Sequence, residues 1–157
     1  MTNGSNTRGV ILDANTPVEY HTIYEIINAT VGTNYTGWMK GVWPHNFGNG
    51  NYRIWFPKLA KVVNGKPVTS ASGCINSISD DGQYFYYDDI KGGDYEGKQH
   101  YFGYDLIFAK DYNGEYYFRG VYMRDKEKSS LNHCVSKRVG TKVLVHPGEG
   151  GNIEILS

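Results

Sequence analysis

The chain has 157 residues, 16 Lys+Arg balanced by 16 Asp+Glu, 39% apolar residues and 15% aromatics. That length suits one domain over 1–157, and the aromatic content excludes a disordered chain, which cannot bury enough apolar surface to offset its ordering entropy. Zero net charge excludes a uniformly basic coat but not a local basic patch, and two cysteines make neither a disulfide framework nor a four-ligand zinc site.

The start, MTNGSNTRG, is polar and lacks the apolar core of a signal peptide, so residues 1–8 read as a flexible tail. No run of 18 apolar residues exists to span a membrane. The expectation is a cytoplasmic protein whose Cys74 and Cys134 are free thiols in small apolar niches. Val10 to Leu12 form a first strand. Thr16-Pro17-Val18-Glu19 supplies a capping residue, a proline at the first helical position and a glutamate to close the box. Tyr20, Ile23, Tyr24, Ile27 and Val31 follow at helical spacing and Gly32 stops it. The pattern predicts an amphipathic helix over 17–31.

Strands and turns follow. Trp38 to Trp43 is a strand broken by Pro44, and His45 to Asn51 a loop. Tyr52 to Phe56 alternates, with Leu59 to Val63 continuing it after Pro57, and Asn64-Gly65 is a turn. Ile75 to Ser79 and Tyr84 to Tyr87 flank Asp80-Asp81-Gly82 as a hairpin. Asp88 to Lys98 is a Gly-rich, charged loop. Tyr101 to Lys110 and Tyr116 to Arg124 flank Asn113-Gly114, the strongest hairpin signal of the chain. Lys126 to Asn132 forms a helical turn, Val135 to Val145 one or two strands, and Ile153 to Leu156 an edge. The sum is a mainly β, α+β fold, an antiparallel barrel or half-barrel with the helix plugging an end or covering a face.

A two-residue turn at Asn113-Gly114, both with positive φ, pairs Phe108 with Arg119, Leu106 with Val121 and Tyr104 with Met123. That register sets Arg119 on a core face, where a guanidinium needs an anionic partner, the rim, or an anion or base edge to grip. Fourteen of the 23 aromatics fall between Tyr84 and Tyr122. On a strand Tyr84 and Tyr86 share one face and Phe85 and Tyr87 the other. The rings make either a Tyr-rich core or a stacking platform. Trp38, Trp43 and Trp55 lie near the Asn/Gly loop and form either core or a second wall. Charge is uneven. Residues 80–98 hold six acids against two lysines, and residues 115–142 seven bases against three acids. The basic stretch interleaves with Tyr116, Tyr117, Phe118 and Tyr122, as a phosphate-tracking groove with stacking rings would.

Two catalytic arrangements are weighed. Asp81 followed by Glu96-Gly97-Lys98 has the residue order of a metal-dependent nuclease, although glycine surrounds the E-x-K where a strand would carry apolar neighbours. His133 and Cys134 are adjacent and diverge on a strand, so they make no nucleophile pair unless another histidine approaches. Calcium at Asp88, Asp89, Asp94 and Glu96 lacks the spacing of a 12-residue loop. No metal or cofactor is expected.

The segments Ile75 to Gly82, Asp105 to Lys110, Tyr117 to Tyr122 and Lys137 to Val139 carry a resemblance. Over residues 70–145 the chain resembles a β module of bacterial restriction and defence proteins. Such modules sit beside nuclease or helicase domains. The resemblance implies a reader of DNA, in the manner of barrel readers of modified or flipped bases, and no nuclease domain accompanies it here. On this reading Tyr84, Tyr86, Trp43 and Trp55 stack, Arg119 or Arg124 reads a base, and Lys137, Arg138 and Lys142 hold phosphates. The chain is then a binding module and not an enzyme. The alternatives are a small nuclease using Asp81, Glu96 and Lys98, and a protein- or glycan-binding module, or homo-oligomer, whose aromatics are an interface.

Overall fold

The computed structural model describes residues 9–38, 41–47, 52–68, 73–89, 103–130, 133–146 and 153–157. The chain runs β1 (Val10–Asp13), α1 (Ile23–Val31), β2 (Val42–Phe47), β3 (Tyr52–Trp55), β4 (Val62–Val63), β5 (Lys66–Pro67), β6 (Cys74–Ile78) and β7 (Tyr84–Asp89). It continues with β8 (Tyr104–Lys110), β9 (Tyr116–Arg124), β10 (His133–Gly140), β11 (Lys142–Val145) and β12 (Ile153–Ile155). The mainly β expectation is met. Seven strands form one sheet in the order β2-β3-β8-β9-β10-β7-β6, three form a second, β1-β11-β12, and β4-β5 is a separate hairpin. Among the described residues no pairing joins β2 to β6, so the hydrogen-bonded order is that of an open sheet.

The helix starts later than expected. Two T-x-x-E boxes stand in tandem, at Thr16 and at Thr22, and the second is used. Glu25 N donates to Thr22 Oγ1 at 3.3 Å, and Thr22 Oγ1 donates to Glu25 Oε1 at 2.9 Å. The first box loses because Tyr20 is held extended against β9. Tyr20 N donates to Tyr116 O at 3.0 Å and Tyr116 N returns the bond at 2.9 Å. Gly32 ends the helix as expected, in the left-handed region at φ 85°. Ile26, Ile27 and Val31 are buried among Leu12, Ile54, Leu106, Phe108, Val121 and Val143. Each such side chain contributes about 1.5–3 kcal/mol over its exposed state. The helix and the three-stranded sheet thus cover one face of the large sheet. Among the described residues no helix is long and apolar enough to cross a membrane.

Two other elements depart from the sequence reading. Pro44 does not end a strand but lies inside β2, and His45 to Phe47 are strand and not loop. β2 is the terminal strand of its sheet, where a missing N–H costs no ladder bond, and its pairing with β3 is irregular between Trp43 and Phe47. At Asn113-Gly114 neither residue has positive φ. The strands end at Lys110 and Tyr116, and Gly114 N donates to Asp111 O at 3.1 Å, so the loop is longer than two residues. It is Asn64-Gly65, between β4 and β5, that takes the paired positive φ values, 53° and 77°. Leu106 faces Val121 and Tyr104 faces Met123, as the register predicts, but Phe108 faces Phe118. The slip is a bulge at Arg119-Gly120, with Gly120 at φ 132°. Arg119 therefore leaves the core-facing set.

Candidate nucleic-acid interface

Strand alternation gives the large sheet two chemically distinct faces. Away from the helix, Phe85, Ile107, Ala109 and Tyr122 form a smaller core, with Trp55, Leu59 and Ile78 packed on it. Trp55 meets Phe85 at 5.0 Å and Tyr87 at 6.1 Å between ring centroids, both edge-to-face. Trp55 and Tyr87 are half-buried, so each keeps part of its ring open. Cys74 Sγ lies 3.2 Å from the Tyr87 hydroxyl. In the next row Asp105 is buried and paired with Arg53 across the β3–β8 ladder. Burial pushes the Asp105 carboxyl up, and the Arg53 guanidinium beside it and Arg124 pull it back down. Arg124 is itself buried.

Tyr122 belongs to the same face. Its hydroxyl donates to Gly82 O at 2.6 Å, which ties β9 to the β6–β7 turn, and burial pushes its phenol up to about 12. Beside that turn lies a cleft of about 460 Å³ whose lining includes Asp80, Asp81, Tyr117, Arg119 and Arg138. Arg119 Nη2 donates to Ala109 O at 3.0 Å and to Asp111 Oδ1 at 2.9 Å, so a partner carboxylate holds it. Arg138 donates to Arg119 O and Asp81 O, both at 3.3 Å. The Asp81 carboxylate accepts from Gln83 N at 2.9 Å and Ser79 Oγ at 2.8 Å. Those hydrogen bonds keep its carboxyl below the usual range. Asp81 thus shapes a turn.

On the helix side of β7, Tyr84 and Tyr86 stack at 6.3 Å, and Tyr86 stacks with His133 at 6.2 Å. Lys128 Nζ sits 4.4 Å from the Tyr84 ring centroid and donates to its hydroxyl at 2.9 Å. Lys137 is exposed and pairs with Tyr84 across β10 and β7.

The expected binding residues therefore separate. Tyr84, Tyr86 and Lys137 gather on one face, Arg119 and Arg138 at the turn cleft, and Trp55 on the opposite face. Trp43 packs against the main core, Arg124 is interior, and Lys142 lines a smaller pocket beside β1. Glu96 and Lys98 lie outside the described residues. Among the described residues no three His, Cys, Asp or Glu gather as a metal site. His133 pairs with Asp88, and burial pushes the Cys134 thiol up, which suits an inert thiol. Sequence reasoning missed Tyr87, Arg53 and Asp105. Alternation put Tyr87 opposite Tyr84, but nothing local in sequence brings β3 beside β8.

Residues 6–145 match the model of SRA, the SET and RING associated domain. The fold is similar to that of "The 5-Hydroxymethylcytosine-Specific Restriction Enzyme AbaSI", with TM-score 0.65 and 23% identity over 88% of this chain. The match spans 44% of that enzyme's length. No match is found among curated proteins. The resemblance to a module of restriction proteins read from residues 70–145 is thus met, and it extends over nearly the whole chain.

Proposed function

This chain belongs to the SET and RING associated (SRA) domain family, and from that premise we infer that it binds DNA in the cytoplasm and reads a modified cytosine. The modification most in keeping with the neighbouring fold is 5-hydroxymethyl, the base named for that restriction enzyme. The observation that carries the reading is the wall of Trp55 and Tyr87, two part-open rings on one face beside the buried Asp105–Arg53 pair. An enzyme or reader that inspects one base takes it out of the stack, holds it against aromatic rings and reads its edge by hydrogen bonds. Rings supply that stacking without discriminating between bases, and a fixed polar pair beside them supplies orientation. No cleavage is assigned to this chain.

The test is competition binding with duplexes carrying one central cytosine, 5-methylcytosine or 5-hydroxymethylcytosine at two salt concentrations. A modified duplex should win, and Trp55→Ala or Tyr87→Ala should weaken its binding by about tenfold. The salt slope should stay unchanged, because phosphate contacts set it. Equal affinity for all three duplexes would overturn the reading.

A further inference from the structure

The ring ladder on the helix side of β7 is not used by the reading above. Phe85 and Tyr87 point one way from β7, and Tyr84 and Tyr86 the other, so the ladder lies back to back with the Trp55 wall. Three features distinguish it from ordinary strand surface. Tyr84, Tyr86 and His133 are near-parallel in sequence along the strand pair, with interplanar angles of 19° and 12°. None of the three is fully buried, and the adjoining Met123 is 39% exposed. Lys128 and Lys137, both exposed, flank the rings.

We propose that this face is a second nucleic-acid contact, which takes single-stranded DNA or RNA. Unpaired bases stack on Tyr84 and Tyr86, since every base has a π-face, and the two lysines hold the phosphates between them. A duplex hides its base faces inside its own stack, so a row of part-exposed rings flanked by cations fits a single strand better than a double helix. Asp88, the carboxylate on the same face of β7, is engaged by His133. The contact is independent of the modified-base reading, because its rings and cations sit on the other face.

The test is fluorescence anisotropy of the full chain with labelled dT12 between 50 and 200 mM salt. Tyr84→Leu and Tyr86→Leu, which keep apolar bulk but lose the ring, should each weaken dT12 binding by about tenfold. Lys128→Gln and Lys137→Gln should each reduce the salt slope by about 0.7, the value for one phosphate of a single strand. Trp55→Ala should leave dT12 binding unchanged. Melting temperatures are followed alongside, and a folded Lys137→Gln variant keeps the proposal testable if a leucine variant unfolds. No dT12 binding by the wild type would overturn the proposal, as would binding that survives in all four folded variants. Loss of dT12 binding in Trp55→Ala alone would overturn it too, by placing a single strand on the other face.

Discussion

Asp105 offers the sharpest test of what holds the two halves of the large sheet together. It is 2% exposed, sits on β8, and pairs with Arg53 on the parallel strand β3, while Arg124 on β9 lies within its electrostatic reach. Asp105→Ala removes the carboxylate that both guanidinium groups share. Breaking a buried ion pair from one side costs about 3–5 kcal/mol, because the remaining charge stays in a low-dielectric site. For a domain of this size each kcal/mol lowers the melting temperature by about 2–4 °C, so a drop of about 6–20 °C is expected. Adding Arg53→Met should recover part of the loss, since it removes one of the two charges along with its desolvation cost. The assay is thermal unfolding followed by circular dichroism for the wild type, both single variants and the double variant. A double variant as unstable as the sum of the singles would refute the argument, as it would mean the two side chains do not interact.

Gly120→Ala should destabilise by about 1–3 kcal/mol from backbone strain at φ 132°, and more because its Cβ would lie 2.8 Å from Gly140 O. An unchanged urea midpoint would show that the bulge can relax. Thr22→Ala should cost about 1 kcal/mol as a lost cap, whereas Thr16→Ala, at an exposed site, should be neutral in the same unfolding experiment. The Asp81 carboxyl is held below its ordinary value, so its contribution is present above pH 3.8 and is lost as pH falls through its lower folded value. Asp81→Asn should therefore flatten the acid limb of a stability-against-pH curve, and an identical limb would show that its hydrogen bonds are not specific to the charged form.

Local signals carried most of the topology. The β6–β7 and β8–β9 hairpins, the early strand and the helix end at Gly32 all follow from turn residues and alternation, which act over a few positions. What escaped was set by distant partners. Thr16 and Thr22 offer equivalent boxes, and only the bridge from Tyr20 to Tyr116 decides between them. Phe108 and Arg119 would face each other but for a bulge at Gly120, where Arg138 and Gly140 leave no room for a side chain, a constraint that no local pattern encodes. The site divided for the same reason. Charge and aromatic runs are linear in sequence, whereas alternation sends neighbours to opposite faces, so Tyr86 and Trp55 parted company and Tyr87 joined Trp55 instead.

The parallel pairing of β3 with β8 has a consequence for how the molecule assembles. Tyr52 aligns with Tyr104, and Arg53 with Asp105, across a stretch of 52 positions that the β4–β5 and β6–β7 hairpins shorten only in part. The β8–β9 and β6–β7 hairpins can zip from their turns, but β3 must wait for a long loop to close before its contacts repay the lost chain entropy. Trp55 then reaches Phe85 and Tyr87 only after that late step. Variants that loosen β3 should accordingly speed unfolding while leaving the refolding rate nearly untouched. By that order the aromatic wall should be completed last and lost first.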